Sequence, residues 1–203
     1  MNQAVGRKVR SDKLKEFKPT IPISLKDSIY RLSTITNIPR QDVAEDMIKY
    51  AIYDYKILSS LSLHFKRDLA LHNKFYVGRL TNESIKKRET GPCERMTTRL
   101  RGEDAEIVSA LAYALDVTPT RVSALLLDAT MKDRYFINDY VEQYLASNIT
   151  KGQLQELKKL LQFINRHNPS SHSFAALLSE LIDGVGIPAI RIKEAVKEFL
   201  SNL

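Results

Sequence analysis

One order of signals, strand then helix then turn then helix, occurs twice in this chain, and neither occurrence can fold alone. In residues 19–53, Ile21, Ile23 and Leu25 alternate with Thr20, Pro22 and Ser24 at the period of a strand. Ile29, Leu32 and Ile35 follow at helical spacing, residues 37–41 break the pattern, and a second helix from about Arg40 sets Val43, Met47, Ile48, Ala51 and Ile52 on one face. In residues 94–132, Met96, Thr98 and Leu100 alternate with Arg95, Thr97, Arg99 and Arg101. A helix over 103–115 carries Ile107, Leu111 and Leu115 on one stripe. Its first turn holds Glu103 and Asp104, where the helix dipole favours acids. Thr118 followed by Pro119 is a cap and first-position pair, and the next helix faces inward with Val122, Leu125, Leu126 and Ala129.

A strand of five residues with two short helices cannot bury its own apolar side. It needs a second copy: two strands pair antiparallel into a ribbon and four helices close beneath it. Placing Leu25 on Leu100 and Val43 on Val122 aligns the copies, with an interval of 18 residues in the first and 22 in the second. The four missing residues are about one helical turn, which leaves the inward face nearly in phase. Ile21, Ile23, Leu25, Met96, Thr98 and Leu100 then form the roof of the core. The expected fold class is mainly α, two short antiparallel strands and four helices followed by a C-terminal helical domain.

The 203 residues carry a formal charge of +7, which favours an anionic partner, nucleic acid being the commonest. At 43 % hydrophobic residues the chain can build an ordinary core. Cys93 is the only cysteine, so no intrachain disulfide forms, as expected of a cytoplasmic protein. No signal peptide and no run of 18 apolar residues is read, so no membrane association is expected. His64, His72, His167 and His172 lack the spacing of metal ligands, and no phosphate loop or catalytic constellation is present. The expectation is a protein without cofactor or metal that is not an enzyme.

On those alternating strands and helix pairs, the two segments resemble ribbon-helix-helix DNA-binding domains of the Arc/MetJ/CopG class. Their tandem arrangement is similar to TraY-type accessory proteins of conjugative plasmids. The resemblance implies a sequence-specific reader of double-stranded DNA whose ribbon enters the major groove. Its base-reading positions fall on Arg95, Thr97 and Arg99, and in the first copy on Thr20, Pro22 and Ser24, of which Pro22 has no side-chain donor. Its phosphate clamp, the N-terminus of the second helix, falls on residues 39–41 and 118–120. Arg40, Gln41, Thr118, Thr120 and Arg121 are the implied phosphate contacts, with Arg101 and Lys26 beside them. The implied role is an accessory factor of a relaxosome at a plasmid transfer origin. The alternatives are a transcriptional repressor, an antitoxin, or a helical scaffold outside DNA binding. The copies are expected to pair within one chain, because linkage raises their effective concentration, rather than between two chains.

The rest is read more coarsely. Residues 1–18 are a basic flexible arm. Residues 54–93 are a connection, partly helical, in which the helix from Arg40 continues toward Leu63. Residues 133–203 read as helices only, over about 135–146, 151–165, 174–182 and from Pro188. They form an oligomerisation or partner-docking domain, a relaxase being the partner that the resemblance implies.

Overall fold

The computed structural model describes residues 14–85, 91–144 and Lys159. Apart from Lys159, the expected helices over 151–165, 174–182 and from Pro188 lie outside the described residues, as does most of the basic arm. The order is β1 (Lys15–Phe17), β2 (Thr20–Pro22), α1 (Ile23–Thr36), α2 (Arg40–Tyr53), α3 (Tyr55–Ser62), β3 (Leu69–Leu71), β4 (Lys74–Tyr76), β5 (Cys93–Arg95), β6 (Thr98–Leu100), α4 (Gly102–Leu115), α5 (Pro119–Lys132) and α6 (Arg134–Tyr144). The fold is mainly helical with short antiparallel strand pairs.

β1 pairs with β6 and β2 with β5, both antiparallel and in one register: Glu16 faces Arg99, Phe17 faces Thr98, Thr20 faces Arg95 and Ile21 faces Glu94. The two pairs are one ribbon, 15–22 against 93–100, and its ladder lapses at Pro19, which has no N–H to give. The Met96 amide still donates to Pro19 O at 2.9 Å. Bonded and non-bonded positions alternate along an antiparallel pair. With Pro19 at a bonded position, Pro22 falls at a non-bonded one, where its missing donor costs nothing. The Ile23 amide, donating to Pro92 O at 3.2 Å, closes the end. The two copies thus pair with each other inside one chain.

The first strand differs from the expected 19–25. It begins at Lys15, inside the supposed arm, and ends at Pro22. Ile23 and Leu25 keep strand period with Ile21, but Leu25 also sits four and seven positions before Ile29 and Leu32. All three are at most 1 % exposed, and the helical stripe buries more than a strand end would. Ser24 therefore lies in the first turn of α1 and leaves the ribbon. The ribbon's inward side is Phe17, Pro19, Ile21, Met96, Thr98 and Leu100. Thr98 is fully buried, with its hydroxyl 3.4 Å from Phe17 O across the ribbon.

The aligned copies also need no gap. Ile23 and Gly102, Arg40 and Pro119, and Tyr55 and Arg134 all differ by 79 positions. The counterpart of Leu100 is Ile21, not Leu25. Asn37 and Asp116, 79 apart, end α1 and α4 in the left-handed conformation at φ 59° and 57°. Asparagine and aspartate tolerate that region. The repeat runs one helix further than strand, helix, helix. Asp54 interrupts the expected continuous helix to Leu63, because its carboxylate accepts from the Ile57 amide at 2.8 Å and caps α3. Its counterpart Asp133 accepts from the Tyr135 amide at 2.8 Å. Ile57 and Leu58 of α3 match Phe136 and Ile137 of α6, and all four are buried. α6 is accordingly part of this core, and the expected boundary at residue 133 does not separate it. The connection beyond α3 is a hairpin, β3–β4, whose turn residues His72 and Asn73 take φ 49° and 58°.

Beneath the ribbon α2 packs on α5, and each lies under the other copy's strand, α2 under β6 and α5 under β1 and β2. Val43, Met47, Ile48, Val122, Leu126 and Leu127 are fully buried there. The Thr130 hydroxyl, 3.0 Å from Met47 O and 2.9 Å from Leu126 O, satisfies itself within this seam. Tyr140 donates to Asp46 at 2.8 Å and Tyr50 to Asp133 at 3.0 Å. Burial, then the hydrogen bond to Asp133, pushes the Tyr50 phenol well above its ordinary value. A phenol with a raised folded value contributes stability fully below the unfolded value near 10 and loses it as pH rises through the folded one. Urea midpoints are expected to hold between pH 8 and 9 and to fall above about pH 10. Tyr50→Phe is expected to flatten part of that fall, at a cost near 1 kcal/mol at neutral pH.

Candidate nucleic-acid interface

Alternation along the ribbon leaves one side chain in two pointing away from the helices. On the second strand these are Arg95, Thr97 and Arg99; on the first they are Glu16, Lys18 and Thr20. Thr97 is partly exposed and the other five are exposed. The shared register sets Glu16 against Arg99, Lys18 against Thr97 and Thr20 against Arg95. Of the expected reading positions, Arg95, Thr97, Arg99 and Thr20 lie together on this face, whereas Pro22 ends the strand and Ser24 is helical. Glu16 and Lys18, expected in the flexible arm, join them on it. The signal that finds them is the alternation of Phe17, Pro19 and Ile21, one strand earlier than Ile21, Ile23 and Leu25.

Glu16 is the one acid among these six. One carboxylate oxygen is 2.8 Å from Lys18 Nζ and the other is 3.7 Å from Arg99 Nε. Lys18 first, then Arg99, holds its carboxyl below the ordinary glutamate value, so it is ionised at neutral pH. Lys26, expected to meet phosphate, instead joins α1 to the ribbon by an ion pair with Glu94, which raises its pKa.

The expected clamps are the starts of α2 and α5. Helix geometry leaves the amides of Arg40 and Gln41 without an intrahelical acceptor, and no side chain caps them. At α5, Thr118 Oγ1 accepts from the Arg121 amide at 3.2 Å and Pro119 has no N–H, so the Thr120 amide remains. The guanidinium of Arg40 stacks 4.0 Å from the Tyr30 ring, which holds a cation beside the first clamp. Asp42 in the first turn of α2 opposes an anion, and its counterpart Arg121 favours one. Arg101 is exposed where β6 turns into α4. The two ends therefore offer anions unlike surroundings.

Among the described residues no group of histidine, cysteine and acidic side chains could hold a metal ion, and no helix is long and apolar enough to cross a membrane. No family model, curated protein or solved structure matches this chain.

Proposed function

We propose that the two copies form a single-chain ribbon-helix-helix module and that the protein binds double-stranded DNA sequence-specifically, with the ribbon in the major groove. The observation that carries this reading is the pairing of 15–22 with 93–100 into one ribbon whose outward side holds Arg95 and Arg99. A two-stranded ribbon is a shape the major groove admits, and arginine there can bond guanine O6 and N7 together. The starts of α2 and α5 supply amides for flanking phosphates.

Every pair of counterparts on the reading face differs: Glu16 and Arg95, Lys18 and Thr97, Thr20 and Arg99. A reader whose halves differ at all three positions prefers a site whose halves differ. That asymmetry favours a directional site, and with it the role of accessory factor at a transfer origin over that of a repressor at a palindromic operator. Selection from random duplexes is expected to return a non-palindromic site of one module. Affinity is expected to fall steeply with salt while the preference over scrambled duplex persists. Recovery of a perfect palindrome would point to a repressor built from two chains, and equal affinity for all duplexes would end the proposal. Footprinting on the DNA around its own gene separates a promoter from a transfer origin.

A further inference from the structure

Glu16 is out of place on a face meant for polyanionic DNA. It sits in the end row of that face, between the Lys18 ammonium and the Arg99 guanidinium, at a ribbon position directly opposite Arg99. By the alternation fixed at Pro19, 16 and 99 form a non-bonded pair, the kind in which facing side chains come closest. An ionised carboxylate only accepts hydrogen bonds, and a guanidinium only donates them. In the major groove a G·C pair shows two acceptors on guanine and one donor on the cytosine amine. Resting on the DNA-binding reading above, we infer that Glu16 is a specificity-determining residue: with Arg99 it reads a G·C pair across the ribbon, Arg99 on guanine and Glu16 on the cytosine amine.

The same carboxylate accounts for discrimination against other duplexes. Off the target, Glu16 either holds Lys18 and Arg99 back from phosphates or, where they leave it, stands near anions and base acceptors with nothing to satisfy it. On the target, the cytosine amine replaces the cations that Glu16 gives up. Discrimination then comes from a penalty on wrong sites as much as from a gain on the right one. Across the dyad, the residue facing Arg95 is Thr20 rather than an acid, so this reading belongs to one half of the site only.

The test is duplex selection and salt titration with the full chain and with Glu16→Gln and Glu16→Ala. Glu16 is exposed, and circular dichroism verifies that both variants fold. Glutamine keeps the shape but pairs best with adenine N6 and N7. An adenine there would take the guanine from Arg99, so Glu16→Gln is expected to weaken the preference for the G·C pair by roughly 10-fold in relative affinity rather than to exchange it, with the other positions kept. Glu16→Ala is expected to weaken it at least as much, leaving only the guanine contact of Arg99. Both are expected to bind scrambled duplex more tightly, with a salt slope steeper by about one. A wild-type site unchanged in both variants overturns the assignment of Glu16 while leaving sequence-specific binding intact. A wild-type chain that selects nothing overturns the underlying reading and this one with it.

Discussion

Arg99→Ala is expected to weaken binding to the preferred duplex by about 5- to 150-fold, the ~1–3 kcal/mol of a two-point guanine contact. Binding to scrambled duplex should fall far less. Arg99 already shares its charge with Glu16 at 3.7 Å, so its removal deletes a cation that was partly neutralised before DNA arrived. Arg95 stands opposite the uncharged Thr20 and has no such neighbour across the ribbon. Arg95→Ala is therefore expected to lower both affinities and to reduce the salt slope by about one. Two arginines on one face with the same chemistry should thus behave differently. Titrations of each variant against both duplexes at several salt concentrations measure the difference. Equal losses on the two duplexes for Arg99→Ala would make it a phosphate contact.

The strand and the two helix starts of the second copy were legible in the sequence, although its second helix faces inward with Val122, Leu126, Leu127 and Met131 rather than with Leu125 and Ala129. Met96, Thr98 and Leu100 alternate cleanly, Glu103 and Asp104 open the next helix, and Thr118–Pro119 opens the one after. The first copy was misread where one set of residues fits two periods. Ile21, Ile23 and Leu25 satisfy a strand, yet Leu25 also fits the stripe of α1, and packing decided for the helix. The error then propagated into a four-residue gap between the copies, into Ser24 as a ribbon residue, and into the loss of Glu16 and Lys18 to the arm. The third helix of each copy was hidden differently. Tyr53-Asp54-Tyr55 contains no glycine or proline, and the break there is made by a single aspartate turning its side chain onto the Ile57 amide. Aligning on helix starts rather than on strand leucines recovers the 79-residue offset and all of these features together.

Ile21→Ala and Leu100→Ala are each expected to destabilise the fold by about 2–5 kcal/mol, the range for buried large-to-alanine changes. Both side chains are fully buried, and they occupy equivalent places in the two halves of the roof. Because α2 lies under β6 and α5 under β1 and β2, a cavity in either strand loosens a helix of the other copy. The two variants should then lower one shared unfolding midpoint by similar amounts, rather than melting one copy and sparing the other. Urea titrations followed by circular dichroism test this. They also test the pairing itself: a ribbon closed within one chain has a midpoint independent of protein concentration, whereas a ribbon closed between two chains gains stability by mass action as concentration rises. A midpoint that climbs with concentration, or a loss below 1 kcal/mol for Leu100→Ala, would mean that the roof does not carry the two copies jointly. The reading face would then lack the rigid base that holds Glu16 and Arg99 opposite each other.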